Sequence, residues 1–190
     1  MEYPDFLRQH IEEIVQLTDE EFEIVLQYYQ PKFIKRKSYL IESGQIVDCE
    51  YLVAEGLLKA FIHDDLGKEY IVQFAMENWW ISDYLAFKEQ TKGDLCVQAL
   101  EDCFVLELSW ENRIKVCERV PKMYQFHGIK AFSGYVALQK RVLSLMKNSA
   151  KEKYNLLLEQ YPALFQRVSK TMIAHYLGVS RETLSRLSKA

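Results

Sequence analysis

Two arginines and a glutamate crowd the last stretch of this 190-residue chain, S169-K-T-M-I-A-H-Y-L-G-V-S-R-E-T-L-S-R-L-S-K189. Arg181, Glu182, Ser185 and Arg186 fall at i, i+1, i+4 and i+5, so on a helix they share one outer surface. A guanidinium can donate to guanine O6 and N7 together, and a carboxylate can accept from cytosine N4. The chemistry these types suit at this spacing is hydrogen bonding to base edges. The competing reading is a helical hairpin whose charged face is merely solvated.

Such a surface needs two short helices and a tight turn behind it. Ile173, Ala174 and Leu177 repeat at helical spacing before Gly178, and Leu184 and Leu187 after it, which predicts one inward face on each side of a turn. Ser169 and Ser180 stand where an N-cap oxygen would satisfy the free N–H groups of each helix. Gly178 fits a turn residue of positive φ, where a side chain is costly. Ala174 is small where the second helix must cross the first. The pattern is that of a helix-turn-helix, whose second helix enters a DNA major groove.

A net charge of −3 looks wrong for a DNA binder until the chain is divided. Residues 1–120 hold 12 Lys and Arg against 24 Asp and Glu, a net −12; residues 121–190 hold 12 against 3, a net +9. That asymmetry predicts an acidic module joined to a basic one that meets phosphate. An apolar fraction of 49% excludes a disordered chain. No run approaches the ~18 apolar residues that span a membrane. The opening M-E-Y-P-D-F-L-R-Q-H lacks the basic-then-apolar order of a secretory leader, so a cytoplasmic protein without membrane partners is expected.

Taken in order, residues 4–29 predict helices, with T18-D-E-E21 as a capping box and Pro31 as the stop. From Lys32 to Trp110 the texture becomes short β-type runs: K32–R36, Y39–E42, Y51–A54, L57–I62, E69–F74, L95–L100 and F104–L108. Gly44, Gly56 and Gly67 punctuate them, and D64-D-L-G67 is a hairpin signal. This spacing predicts a β jelly roll. W110–R119 predicts a short helix and residues 124–147 a long one. On the long helix Ile129, Phe132, Val136, Gln139, Leu143 and Met146 alternate by three and four, a coiled-coil-like seam. Tyr135, Leu138, Val142 and Leu145 make a second stripe. One stripe suffices to pack on the sheet; the second invites the same helix of another subunit. S149–Y161 predicts an amphipathic helix ended by Pro162.

The fold class expected is therefore α+β: an N-terminal jelly roll with flanking helices, a long dimerisation helix, and a C-terminal helix-turn-helix domain. The boundaries are 1–120, 121–147 and 148–190. This order resembles the cyclic-AMP receptor/fumarate-nitrate regulator (CRP/FNR) superfamily over nearly the whole chain. The resemblance rests on Gly44, Gly56 and Gly67, on V97-Q-A-L-E-D102, and above all on G178-V-S-R-E-T-L-S-R186. It implies a homodimeric transcription regulator on a two-fold symmetric operator of double-stranded DNA, with RNA polymerase as a candidate partner. It implies that positions matching Arg181, Glu182 and Arg186 read bases, while Ser169, Lys170, Thr171 and Ser180 lie near the backbone. Thr183 and Ser185 complete the DNA-binding set.

Two departures qualify the resemblance. Cyclic-nucleotide members carry a Gly-Glu pair and, about ten residues on, an Arg-Ser/Thr pair gripping ribose and phosphate. A gapless match puts Ser82-Asp83 and Gly93-Asp94 there. Gly93 lacks the arginine fork, and Asp94 would repel phosphate, so no tight cyclic-AMP binding is expected. Trp79, Trp80, Asp83 and Tyr84 instead outline either an aromatic pocket for another small-molecule effector or part of the core. Members of the superfamily also usually continue past the recognition helix into a β-hairpin wing, whereas this sequence ends at Ala190, which makes a wingless variant the expectation. The basic spans around Lys140-Arg141 and Lys147–Lys153 are then candidate backbone contacts.

Catalytic, metal and cofactor chemistry finds no motif. His10, His63, His127 and His175 are scattered, and Cys49, Cys96, Cys103 and Cys117 form no C-x-x-C. A cupin-like enzyme would need clustered histidine and carboxylate ligands. The remaining alternative is a sensor or interaction protein with a non-functional helix-turn-helix.

Overall fold

The computed structural model describes residues 3–187. Two helices lead: α1 (Tyr3–Glu12) and α2 (Asp19–Leu26). The expected capping box opens α2. Glu21 N–H donates to Thr18 Oγ1 at 3.2 Å, and Thr18 N–H returns to the Glu21 carboxylate at 2.9 Å.

Eight strands follow among the described residues: β1 (Gln30–Ile34), β2 (Tyr39–Ile41), β3 (Cys49–Glu55), β4 (Leu58–His63), β5 (Glu69–Ala75), β6 (Trp80–Ile81), β7 (Cys96–Ala99) and β8 (Cys103–Ser109), with helix α3 (Tyr84–Glu89) between β6 and β7. They form two four-stranded sheets, ordered β1-β8-β3-β6 and β2-β7-β4-β5. All seven expected runs are strands. The two-residue β6 and the six-residue α3 were not expected, because both are too short to show a period. β1 also takes in Pro31, paired with Leu106. An edge strand tolerates a residue that cannot donate to the ladder.

In the sheet β1-β8-β3-β6 the central strands β3 and β8 are buried on both faces, and period-two alternation sorts their side chains. Tyr51, Val53, Ile81, Cys103 and Val105 face the interior between the sheets. Leu52, Leu106 and Leu108 face a second cluster with Leu7, Ile11, Val25, Tyr29, Val116, Met123 and Phe126. That helical layer comprises α1, α2, α4 (Trp110–Arg119) and the first turns of α5 (Lys122–Lys147). Arg113 of α4 pairs with the buried carboxylate of Glu50 on β3. Burial pushes the Glu50 pKa up, and the guanidinium opposes that shift.

The remaining helices are α6 (Ala150–Gln160), α7 (Pro162–Arg167), α8 (Lys170–Leu177) and α9 (Arg181–Leu187). Pro162 both ends α6 and opens α7, as suits a residue whose missing N–H is harmless at a first helical position. The chain divides into two compact units. One comprises the residues up to Ala60 with Phe74–Phe132, the other Phe61–Gln73 with the residues from Ser133 on. The hairpin end of β4–β5 thus belongs to the second unit, whose helical core is Leu157, Leu164, Ile173, Ala174, Leu177 and Leu184.

The two apolar stripes of α5 do not follow expectation. Only Met123, Phe126 and His127 of this helix are buried. From Ile129 to Met146 both stripes are solvent-exposed or at most half-buried, with Phe132 67% and Met146 80% exposed. The notion that one of them packs on the sheet is therefore corrected. Burial stops where the helical layer stops, after the first two turns.

Candidate nucleic-acid interface

The helix-turn-helix is built by its caps. Ser169 Oγ accepts the Met172 N–H at 3.2 Å and opens α8. Gly178 closes it with φ of 66°, and the Val179 N–H reaches back to the Ala174 carbonyl at 3.0 Å. These are the marks of a left-handed C-terminal cap, which glycine adopts without strain. Ser180 Oγ then accepts the Thr183 N–H at 3.1 Å and opens α9. Ile173, Ala174, Leu177 and Leu184 are buried together behind the turn.

With Leu184 turned inward, the opposite face of α9 presents Arg181, Glu182, Ser185 and Arg186, which line one surface recess. Arg181, Glu182 and Arg186 are exposed, while Thr183 and Ser185 are half-buried. The free backbone N–H at the start of α9 and the Ser180 hydroxyl hold the Glu182 carboxyl below its ordinary range, with Arg181 and Arg186 adding to the effect. The carboxylate is thus ionised and acceptor-only, the form that can accept a hydrogen bond from an exocyclic amine. Lys170 and Ser169 are exposed at the start of α8, with Thr171 half-buried beside them. Caps and reading face are thus assembled from one short segment.

The basic spans divide differently from expectation. Lys140, Lys147 and Lys151 are exposed. Arg141 is half-buried and engaged within the chain: its Nη2 donates to the carbonyls of Ile71 and Tyr176, each at 3.0 Å, and its guanidinium lies 3.6 Å from the Tyr176 ring centroid.

The aromatic group of the jelly roll is not brought together as one lining. Trp79 packs against the core between the sheets, while Trp80 joins the helical layer. Tyr84 is 45% exposed. Asp83 is buried, and its carboxylate is engaged by backbone N–H groups: Ala86 at 3.3 Å on one oxygen, Asp94 and Leu95 at 3.0 and 3.1 Å on the other. Gly93 sits against it; a Cβ there would lie 2.8 Å from Asp83 Oδ2. These residues do not fit the grip on a cyclic nucleotide that the resemblance implies. The carboxylate that should meet ribose is spent on the chain itself, and position 93 has no room for an arginine.

Sequence reasoning missed a buried polar cluster in the helical layer. The Trp80 indole N–H donates to His10 Nε2 at 3.1 Å, and His10 Nδ1 lies 3.3 Å from Asn78 Oδ1. His127 stacks edge-on with Trp80 and Phe126, and its Nε2 has no hydrogen-bond partner among the described residues. Burial, reinforced by Lys130, pushes the His10 pKa down to about 4; burial and Arg113 push that of His127 to about 3. Leu7 and Ile11 flank His10 at helical spacing, which was the available signal that its imidazole faces inward. Among the described residues no three His, Cys, Asp or Glu side chains are grouped to hold a metal ion. No described helix is long and apolar enough to cross a membrane.

Residues 31–120 match the family model of the cyclic nucleotide-binding domain. The chain is 26% identical to the transcriptional activator protein Anr of Pseudomonas protegens over 166 residues, which is 81% of this chain and 67% of that relative. It is 23% identical to the cAMP-activated global transcriptional regulator CRP of Salmonella typhimurium, covering 80% of this chain and 78% of CRP. The structure of the c-di-GMP responsive global regulator CLP of Xanthomonas campestris superposes with a TM-score of 0.73 over 90% of each chain, at 15% identity.

Proposed function

We propose, from a chain that carries the cyclic nucleotide-binding domain over residues 31–120 and whose homologues are CRP/FNR-type transcription regulators, that it is itself a DNA-binding transcription regulator. The observation that carries this reading is the α9 face. Arg181, Glu182, Ser185 and Arg186 stand outward on a helix that is capped at its start and anchored by Leu184. It works as a homodimer. The exposed apolar length of α5, from Ile129 through Phe132, Leu143 and Met146, offers a coiled-coil seam to a second copy. Two copies would place their recognition helices ~34 Å apart, in successive major grooves of a two-fold operator.

Its effector, if one acts through the jelly roll, is not cyclic AMP. Gly93 and the engaged Asp83 carboxylate support that reading. In division of labour, residues 1–120 sense, residues 121–147 pair the subunits, and residues 148–190 read DNA. Selection of sites from random double-stranded DNA tests the proposal. A two-fold sequence whose capture is lost in Arg186→Ala is expected; no enrichment even at low salt, where phosphate attraction is strongest, overturns it.

A further inference from the structure

Arg141 stands at a junction that no local pattern foretells. It is a half-buried arginine on α5, and one of its nitrogens serves two backbone carbonyls from elements far apart in sequence. Ile71 lies on β5, and Tyr176 lies in the last turn of α8. The final carbonyls of a helix lack intrahelical donors, so a cation with N–H groups there is doubly favoured. The guanidinium carbon also lies over the Tyr176 ring, a contact that a lysine reproduces poorly. Burial lowers the Arg141 pKa, and the contact with Tyr176 opposes that shift.

Neighbouring contacts repeat the same alignment. Glu69 lies two residues before Ile71 on β5, and its carboxylate is 3.7 Å from Nδ1 of His175, the residue before Tyr176. Leu145, one turn beyond Arg141 on α5, is the side chain nearest the open face of Gly178, 4.0 Å from where a Cβ would stand. α5 and β5 therefore both touch the end of α8, and α8 is packed on α9 through Ile173, Ala174 and Leu184.

We infer that Arg141 is the positioning residue through which the β4–β5 hairpin and α5 jointly set the helix-turn-helix. A shift of the hairpin moves the Ile71 carbonyl, and the shared guanidinium passes that shift to α8 and so to the reading face of α9. The inference rests on the DNA reading proposed above for its consequence, but not for its first test.

That test is hydrogen–deuterium exchange on the full chain. Arg141→Met keeps the apolar stem and loses the fork. It is expected to raise exchange about tenfold in both 64–73 and 170–178, leaving β8 protected. Arg141→Lys, which offers a point charge in place of a planar fork, restores at most one of the two segments. Exchange raised in only one segment, in neither, or restored in both by Lys overturns the inference. If Arg141→Met unfolds the chain, seen as exchange in β8 as well, the Lys variant decides alone. The second readout is half-site spacing. On the DNA that the wild type selects, Arg141→Met is expected to accept spacings altered by about 2 base pairs that the wild type rejects. Weaker binding with unchanged spacing discrimination overturns the positioning role. Failure of the wild type to select any DNA sinks the regulator reading, while exchange still decides the junction.

Discussion

β3 and α5 are both rich in apolar residues, yet one is buried on two faces and the other mostly bare. Leu52 and Val53 of β3 are fully buried, one in the helical layer and one between the sheets. Phe132 and Met146 of α5 are more than half exposed. An apolar pattern therefore states that a surface needs covering, and says nothing about whether the same chain does it. In β3 the two layers are already present in the chain. In α5 no such layer covers the stretch from Ile129 to Met146, and under the dimer proposed above the seam of Ile129, Phe132, Val136, Leu143 and Met146 would meet the same helix of a second copy.

The contrast can be broken or sharpened by experiment. Leu52→Ala should cost about 2–5 kcal/mol of stability by urea unfolding, since it leaves a cavity in a packed layer. Phe132→Ala should cost under about 1 kcal/mol of the same fold when the chain is monomeric. Equal losses would erase the distinction. If the proposed dimer forms through this seam, Phe132→Glu together with Leu143→Glu should halve the mass seen by light scattering while leaving circular dichroism unchanged; an unaltered mass would overturn that pairing.

The helical layer also carries a pH dependence, through His10 of α1 and His127 in the buried first turns of α5. The unfolded chain protonates its histidines near pH 6.5, whereas the folded chain takes protons on His10 only near pH 4 and on His127 near pH 3. Stability is thus at its full value above about pH 6.5 and declines by a few kcal/mol as pH falls toward 4. His127→Leu should flatten that decline by roughly half, as read from urea midpoints across pH. A slope unchanged by the substitution would mean that His127 does not titrate as its burial dictates.

Smaller effects belong to the second unit. Arg186→Ala should weaken the selected DNA roughly 10- to 100-fold and relax preference at one base pair per half-site, measured by anisotropy. A uniform loss across sequences would make Arg186 a phosphate contact instead. Ser180→Ala should cost about 1 kcal/mol through loss of the α9 cap, read as a lower thermal midpoint.

Legibility followed sequence distance. The capping box at Thr18–Glu21, the turn at Gly67 and the caps at Ser169, Gly178 and Ser180 are each closed within a few residues, so residue type and spacing suffice to read them. The strands were legible as runs, and their two-sided burial was hinted at by the unbroken apolar stretch Y51-L-V-A54. Trp79 and Trp80 were legible only as aromatics. Which layer each ring enters depends on how β6 pairs with β3 through Tyr51–Ile81 and Leu52–Trp80, a register that no local pattern specifies.

By itself the sequence determined the helix-turn-helix, the segregation of acidic from basic residues and the succession of short strands. Each is a local matter of backbone preference, periodicity or charge count. Only the tertiary structure decided that Asp83 spends its carboxylate on the amides of Asp94 and Leu95, that Trp80 meets His10, and that Arg141 joins Ile71 with Tyr176. These pairs lie 11 to 70 residues apart. Their partners are chosen by which buried polar groups would otherwise go unsatisfied, and that depends on what packing has already removed from water.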